Sequence, residues 1–197
     1  MLNFDVIIIG GGASGSIAGI TSARLGKRVV IIEKNGFIGK KINITGKGRC
    51  NVTNNCTNDD LIKNIPRNPK FLYSAFSMFS PQDTIDFFEQ LGVPLKTERG
   101  NRVFPISDKA TDISKALEKE LKRLKVKIIE ENVSELIVEE NICKGVKTDK
   151  NTYLGDSVLI ATGGKSYTAT GSTGDGYKFA QSVGHTIVKL EIGRAHV

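Results

Sequence analysis

Gly10, Gly12 and Gly15 stand in the spacing G-x-G-x-x-G, and Glu33 follows about twenty residues later. None of these groups performs a reaction, but together they can grip one kind of molecule. Glycine at the first position turns the chain tightly, at the second it lets backbone N–H groups approach a phosphate, and at the third it lets a helix lie close on a strand. A carboxylate at Glu33 can accept hydrogen bonds from both hydroxyls of a ribose and disfavours one that carries a 2′-phosphate. The chemistry implied is the binding of a diphosphate and an unphosphorylated ribose, as in FAD or NAD rather than NADP.

Those residues need a strand, a helix and a second strand to hold them. Asp5 to Ile9 is a short, apolar, β-branched run ending in glycines, the pattern of a strand buried on both faces of a parallel sheet. A helix opening near Ala13 leaves its first N–H groups unpaired, and its dipole favours an anion there by roughly 0.3–1 kcal/mol. Ser14 adds a hydroxyl donor. Gly15 and Gly19 fall on one helix face and permit close approach to the sheet, Ile17 and Ile20 supply apolar contact, and Gly26 stops the helix. Arg28 to Ile32 is the second strand. The three glycines alone would be a weak signal in a chain with 21 glycines among 197 residues; the strand before, the helix after and the acid make it a βαβ unit.

From Gly36 to Cys56 glycine and asparagine deny the chain a regular element, so an ordered loop is expected. It carries Lys40, Lys41, Lys47 and Arg49. In a doubly wound sheet this loop lies near the C-terminal strand ends, where its N–H groups and cations can complete a diphosphate clamp; a solvated basic loop is the alternative. Cys50, beside Arg49, is either a thiol of lowered pKa or a small packing residue. Cys50 and Cys56 have five residues between them, in an Asn-rich loop, where flavin disulfide reductases have four on a helix, which demotes a redox dithiol of that kind. The histidines are His185 and His196, and no compact four-ligand metal set appears.

The run Gly46 to Asn54, Gly-Lys-Gly-Arg-Cys-Asn-Val-Thr-Asn, following the Gly10 to Gly15 fingerprint, resembles a bacterial family of FAD-dependent oxidoreductases. Its members are known as aminoacetone-oxidase-like flavoproteins or 3-dehydro-bile-acid reductases, similar in fold to glutathione-reductase-type flavoproteins. The resemblance extends to Glu191. It implies an α/β fold: a Rossmann-like βαβ FAD-binding domain with a parallel sheet and a β-meander crossover, the substrate domain being largely missing. The cofactor is then FAD, with NAD(P)H as electron donor and a small organic molecule as substrate. Cofactor contacts are expected at Gly10, Gly12, Ala13, Ser14, Gly15, Glu33, Lys34, Lys41, Gly48, Arg49, Cys50, Asn51, Ala161, Thr162 and Gly163, and at Val133 through its backbone to adenine. Arg102, in Arg102-Val103-Phe104-Pro105, lies in the family beside the substrate side of the flavin.

The rest of the chain reads as scaffold. Ser80-Pro81-Gln82-Asp83 is a helix start with cap, first-turn proline and N3 acid, and Gly92 ends that helix. Phe76, Phe79, Phe87 and Phe88 are expected in the core. Pro94 to Glu98 and Arg102 to Phe104 pair across Gly100-Asn101. Thr111 to Lys125 is an amphipathic helix, with Ile113, Ala116, Leu117, Leu121 and Leu124 on its apolar face. Val126 to Ile129 is a buried strand. Val133 to Val138, Ile142 to Thr148 and Thr152 to Leu154 form a three-stranded meander, after which Asp156 to Thr162 resumes the parallel sheet. Thr173 or Asp175 then caps a helix that runs to Val183. His185, just beyond, reads as structural.

The formal charge is +7, but the lysines are spread over helix faces with no aromatic-interleaved basic stripe, so no nucleic-acid partner is expected. Three cysteines, no signal-peptide pattern and no run long enough to span a bilayer point to the cytoplasm. Residues 1–191 read as one incomplete FAD-binding domain. Ile192-Gly193-Arg194-Ala195-His196-Val197 is what one frame of a common sequencing adapter encodes, so a non-native tail on a truncated gene is expected. Other readings of the same residues are an NAD-linked dehydrogenase, a flavoprotein acting on transfer RNA, and a non-catalytic dinucleotide sensor.

Overall fold

The computed structural model describes residues 2–190. The opening strand β1 (Leu2–Ile9) leads into α1 (Ala13–Arg24) and β2 (Val29–Ile32). The loop after β2 contains a 3-10 segment, Ile42–Gly48, interrupted at Thr45, Gly46 and Lys47, and a two-residue strand β3 (Thr53–Asn54). Short helices α2 (Asn58–Lys63) and α3 (Tyr73–Met78) precede α4 (Pro81–Gln90), β4 (Leu95–Glu98), β5 (Arg102–Pro105) and α5 (Ala110–Arg123). Strands β6 (Lys127–Ile129), β7 (Val133–Glu139), β8 (Ile142–Thr148) and β9 (Thr152–Ile160), then α6 (Asp175–Ser182), complete it.

Six strands form one sheet in the order β6-β2-β1-β9-β8-β7. Its first four members are parallel; β9–β8 and β8–β7 are antiparallel. This is an α/β Rossmann-like domain whose crossover from β6 back to the sheet is a meander. One expectation needs correction. The third meander strand and the returning parallel strand are a single strand, β9, paired with β8 at Thr152 to Leu154 and with β1 from Tyr153 to Ile160. Gly155 in its middle permits the continuity, since a Cβ there would sit 3.0 Å from the Ile7 side chain. A glycine between two apolar runs reads as a break, but close packing against β1 decides otherwise.

Alternate residues of β1 face opposite layers. Ile8, with Val29 and Ile31, packs under α1 and α5, where Ile113, Leu117 and Leu121 are buried as expected; Ile7, Ile9, Val30 and Ile32 pack on the other side with Val133, Val146, Tyr153 and Phe179. Gly19 brings α1 down onto this layer, since a Cβ there would be 3.0 Å from Ile31 and 3.1 Å from Leu121. Phe87 and Phe88 are buried, whereas Phe79, just past the end of α3, is 39% exposed with its ring edge-on to Phe87 at 6.3 Å. A second small sheet, β3-β5-β4, flanks the domain. Helix α4 carries the expected capping box between Ser80 and Asp83. Helix α6 is capped by Gly174 rather than by Thr173 or Asp175, whose side chains are engaged with Lys34. The tail expected at residues 192–197, His196 included, lies outside the described residues. Among the described residues no helix is long and apolar enough to cross a membrane.

Candidate dinucleotide-binding site

The C-terminal ends of β1, β2, β6 and β9 open on a cleft of about 380 Å³. It forms where the chain leaves parallel strands, the usual ligand position in such sheets. Gly10 makes the first turn at φ +101°, and a Cβ there would lie 2.6 Å from the Ala161 carbonyl oxygen. A Cβ on Gly15 would come within 2.0 Å of the Gly10 carbonyl oxygen. Gly12, by contrast, has no neighbour within 4 Å of its added Cβ, so the space in front of it is open. No side chain caps α1 at Gly12. Its first-turn N–H groups therefore face the cleft with their partial positive charge.

Glu33 is buried, and its carboxylate turns into the glycine loop. Oε2 accepts from Gly11 N at 2.7 Å and Oε1 from Asn35 N at 2.9 Å. Asn35 Nδ2 also donates to Oε1, at 2.5 Å, which fixes the side chain at the cleft wall with one lone pair, on Oε2, to spare. Gly10, Gly12, Ala13, Ser14, Glu33, Lys34, Lys41, Val133, Ala161, Thr162 and Gly163 all line this one cleft. Gly15 lies behind it, packing α1 on β1.

Lys34 and Lys41 also fasten the loop after β9 across the opening. Lys34 Nζ lies 2.6 Å from Asp175 and 2.7 Å from Thr173 Oγ1; Lys41 Nζ donates to Ser166 Oγ at 2.7 Å. The Lys34 ammonium, then the Thr173 hydroxyl, holds the Asp175 carboxyl below its ordinary value. Thr162 Oγ1 accepts from Gly176 N at 3.1 Å, so the strand end itself satisfies a first-turn donor of α6.

The structure does not bring Gly48, Arg49, Cys50 or Asn51 to that cleft. Arg49 is bound by Glu98 and by Asp108, Nε donating to Asp108 at 2.8 Å, with its guanidinium 4.2 Å above the Phe104 ring. Those carboxylates, Glu98 foremost, raise its pKa further. It is a strut between the 3-10 loop and the small sheet. Gly46, Lys47, Gly48 and Cys50 all adopt left-handed backbone angles, so this run is tightly coiled. Cys50 and Asn51 line a second, largely apolar groove of about 910 Å³ between α1, α4 and β9. It meets the cleft at Ala13, Ser14, Ile42 and Thr45. Burial raises the Cys50 thiol pKa, favouring the packing role over the reactive one. Cys56 lines a different hollow with Thr57 and Ser80, so the two cysteines share no cavity. Arg102 is exposed, its Nε donating to the Arg99 carbonyl. His185 is exposed just beyond α6.

Sequence reasoning missed Asn35, Glu131, Asn132, Gly171 and Ser172, which also line the cleft. Glu131 and Asn132 follow β6, and their position past a parallel strand end was the available signal. Gly171 and Ser172 come close only through the fold of the loop after β9.

Residues 4–196 match the family model described as the HI0933-like protein Rossmann domain. The 3-dehydro-bile acid delta(4,6)-reductase of Clostridium scindens is 39% identical over 184 residues, covering 91% of this chain and 44% of the relative. The ribosomal RNA dihydrouridine synthase of Escherichia coli is 31% identical over 196 residues, covering 98% and 48%. The chain thus spans less than half the length of these curated relatives. In fold it is similar to Mycobacterium smegmatis Sdh1 in complex with UQ1, with a TM-score of 0.69 at 21% identity over 92% of this chain and 38% of that one. The open conformation of a flavocytochrome c3 fumarate reductase gives 0.66 at 20% identity over 94% and 41%.

Proposed function

The chain belongs to the HI0933-like Rossmann-domain family, and from that premise we propose that it is the dinucleotide-binding part of an FAD-dependent oxidoreductase. The single observation that carries this reading is the buried Glu33 carboxylate, turned into the glycine loop beside the uncapped start of α1. That pairing of an acid with bare amides suits a ribose next to a diphosphate. The residues present fit the group. The first-turn amides of α1, from Ala13 to Gly15, would hold the diphosphate, with the Gly12 backbone leaving room for it. Glu33 would take a ribose hydroxyl through the free lone pair of Oε2, and the Val133 backbone the adenine. The flavocytochrome c3 fumarate reductase, which shares the fold, is in keeping with FAD.

When bound, FAD supplies the hydride chemistry, here between NAD(P)H and a small organic substrate. This chain's residues bind and orient. Lys34 and Lys41 hold the loop after β9 over the cleft and so limit water at its mouth. With less than half the length of its relatives, the chain is expected to retain FAD weakly and to turn over little. In this reading residues 1–191 form the domain, and the location is cytoplasmic.

The test is to titrate the chain with FAD, to recover the longer coding sequence, and to identify the cofactor in the longer protein. Flavin absorption bands that bleach on adding NADH or NADPH are expected. Longer protein purified without flavin and unable to take it up would overturn the proposal. A second reading is favoured by the relatives named as ribosomal RNA dihydrouridine synthases: the substrate is then a base within RNA. RNA affinity that falls steeply with salt would select it; no RNA binding at low salt would leave the small molecule.

A further inference from the structure

The segment between β6 and β7 is fastened in an unusual way. Glu131 is only 8% exposed, and its carboxylate points away from solvent into the turn between β8 and β9. Oε2 accepts from Thr148 Oγ1 at 2.6 Å; Oε1 accepts from Asn151 Nδ2 at 2.7 Å and from Tyr153 OH at 2.9 Å. Two further bonds run alongside, Asp149 N donating to the Asn132 carbonyl and Asn132 N to the side-chain Asp149 Oδ1, both at 3.1 Å. No Lys or Arg side chain forms a described ion pair with this carboxylate. Burial opposes its charge, but the three neutral donors, with a smaller contribution from the Lys150 charge, outweigh that and keep its pKa below the ordinary value, while burial and the same carboxylate push Tyr153 up to about 12.

A buried anion is a costly way to start a meander, since an apolar side chain fills such a place with no desolvation penalty. What the anion gives is direction: three donors converge on it and lock the chain just before Val133. There the β7–β8 ladder shifts register, between Val133 and Glu135. Such a bulge takes backbone groups out of the ladder and re-aims them. Glu131, Asn132 and Val133 all line the cleft, and Glu33 sits on the neighbouring strand end, its N–H donating to the Ile129 carbonyl at 2.9 Å.

We propose that Glu131 is a positioning residue: through Thr148, Asn151 and Tyr153 it sets the backbone edge at Val133 that recognises the adenine of the bound nucleotide. This rests on the dinucleotide reading above, which already gives the adenine to the Val133 backbone, and adds to it the residue that holds that edge in place. The amides of α1 hold the diphosphate independently of this network, so adenine recognition and diphosphate binding are separable.

Calorimetric titration of the chain with ADP and with inorganic pyrophosphate separates them. Glu131→Ala is expected to weaken ADP about tenfold, equivalent to about 1.4 kcal/mol, and to change pyrophosphate affinity less than about twofold. Glu131→Gln, which keeps the shape, should lose less. Asn151→Ala and Tyr153→Phe each remove one donor and should give a smaller ADP-selective loss, and they carry the test if Glu131→Ala does not fold. Folded variants that bind ADP like the wild type, or that lose ADP and pyrophosphate by the same factor, overturn the proposal. Wild-type chain that binds neither ligand overturns the dinucleotide reading itself.

Discussion

Gly12 and Gly15 are three residues apart in one motif, yet the structure gives them opposite tasks. A methyl group on Gly12 meets nothing within 4 Å and sits on ordinary extended backbone, φ −75°. Gly12→Ala should therefore fold with its Tm changed by no more than about 2 °C, while FAD or ADP affinity falls by about tenfold or more, because the methyl occupies the space a phosphate would use. A methyl group on Gly15 would overlap the Gly10 carbonyl oxygen. Gly15→Ala must push α1 off β1, and a loss of about 1–3 kcal/mol in stability is expected, read by urea denaturation. Glu33 belongs to the same scale. Glu33→Ala leaves the buried Gly11 N–H without its acceptor, so affinity and about 1–3 kcal/mol of stability should be lost together.

Among the elements, α4 and α5 are held by different means. Ser80 closes a capping box on α4, so Ser80→Ala should cost about 1 kcal/mol by denaturant titration without touching the cleft. Helix α5 is tied to α1 through Glu120, whose carboxylate is buried between Arg123 and Arg24. The hydrogen bonds from Arg123, and then from Arg24, lower its pKa from 4.5 to about 2. A depressed carboxylate contributes stability above its unfolded value and loses it as pH falls through the folded one. Stability should thus decline between about pH 4.5 and 2, and Glu120→Gln should flatten that part of the profile. Both arginines are well exposed, so solvent screening reduces the pair's contribution at neutral pH.

At the scale of the whole molecule, the C-terminal half of β9 leaves the sheet with an open edge beside β1. Beyond Leu154, β9 has no strand on its outer edge among the described residues. Leu159 and Ile160 are 40% and 38% exposed there, and Leu159 borders the apolar groove. An open parallel edge beside an apolar hollow invites pairing with another chain. The isolated chain is expected to self-associate as its concentration rises, by sedimentation velocity, and Leu159→Lys should restore the monomer.

The βαβ unit, its glycines and its acid were legible in the residues alone because each carries a local signature: periodicity, a glycine where a side chain would clash, a carboxylate one strand away. The capping box of α4 and the apolar face of α5 were legible for the same reason. Arg49 was not. Its type and place beside the glycine fingerprint suit an anion, but Glu98 and Asp108, far along the chain, claim it first. Nor was the continuity of β9, which depends on Gly155 fitting against Ile7, or the inward turn of Glu131, which depends on three donors brought together by the meander. Pairings between residues distant in sequence leave no periodic trace, so only the tertiary structure decides which polar side chains face the cleft and which are spent holding it in shape.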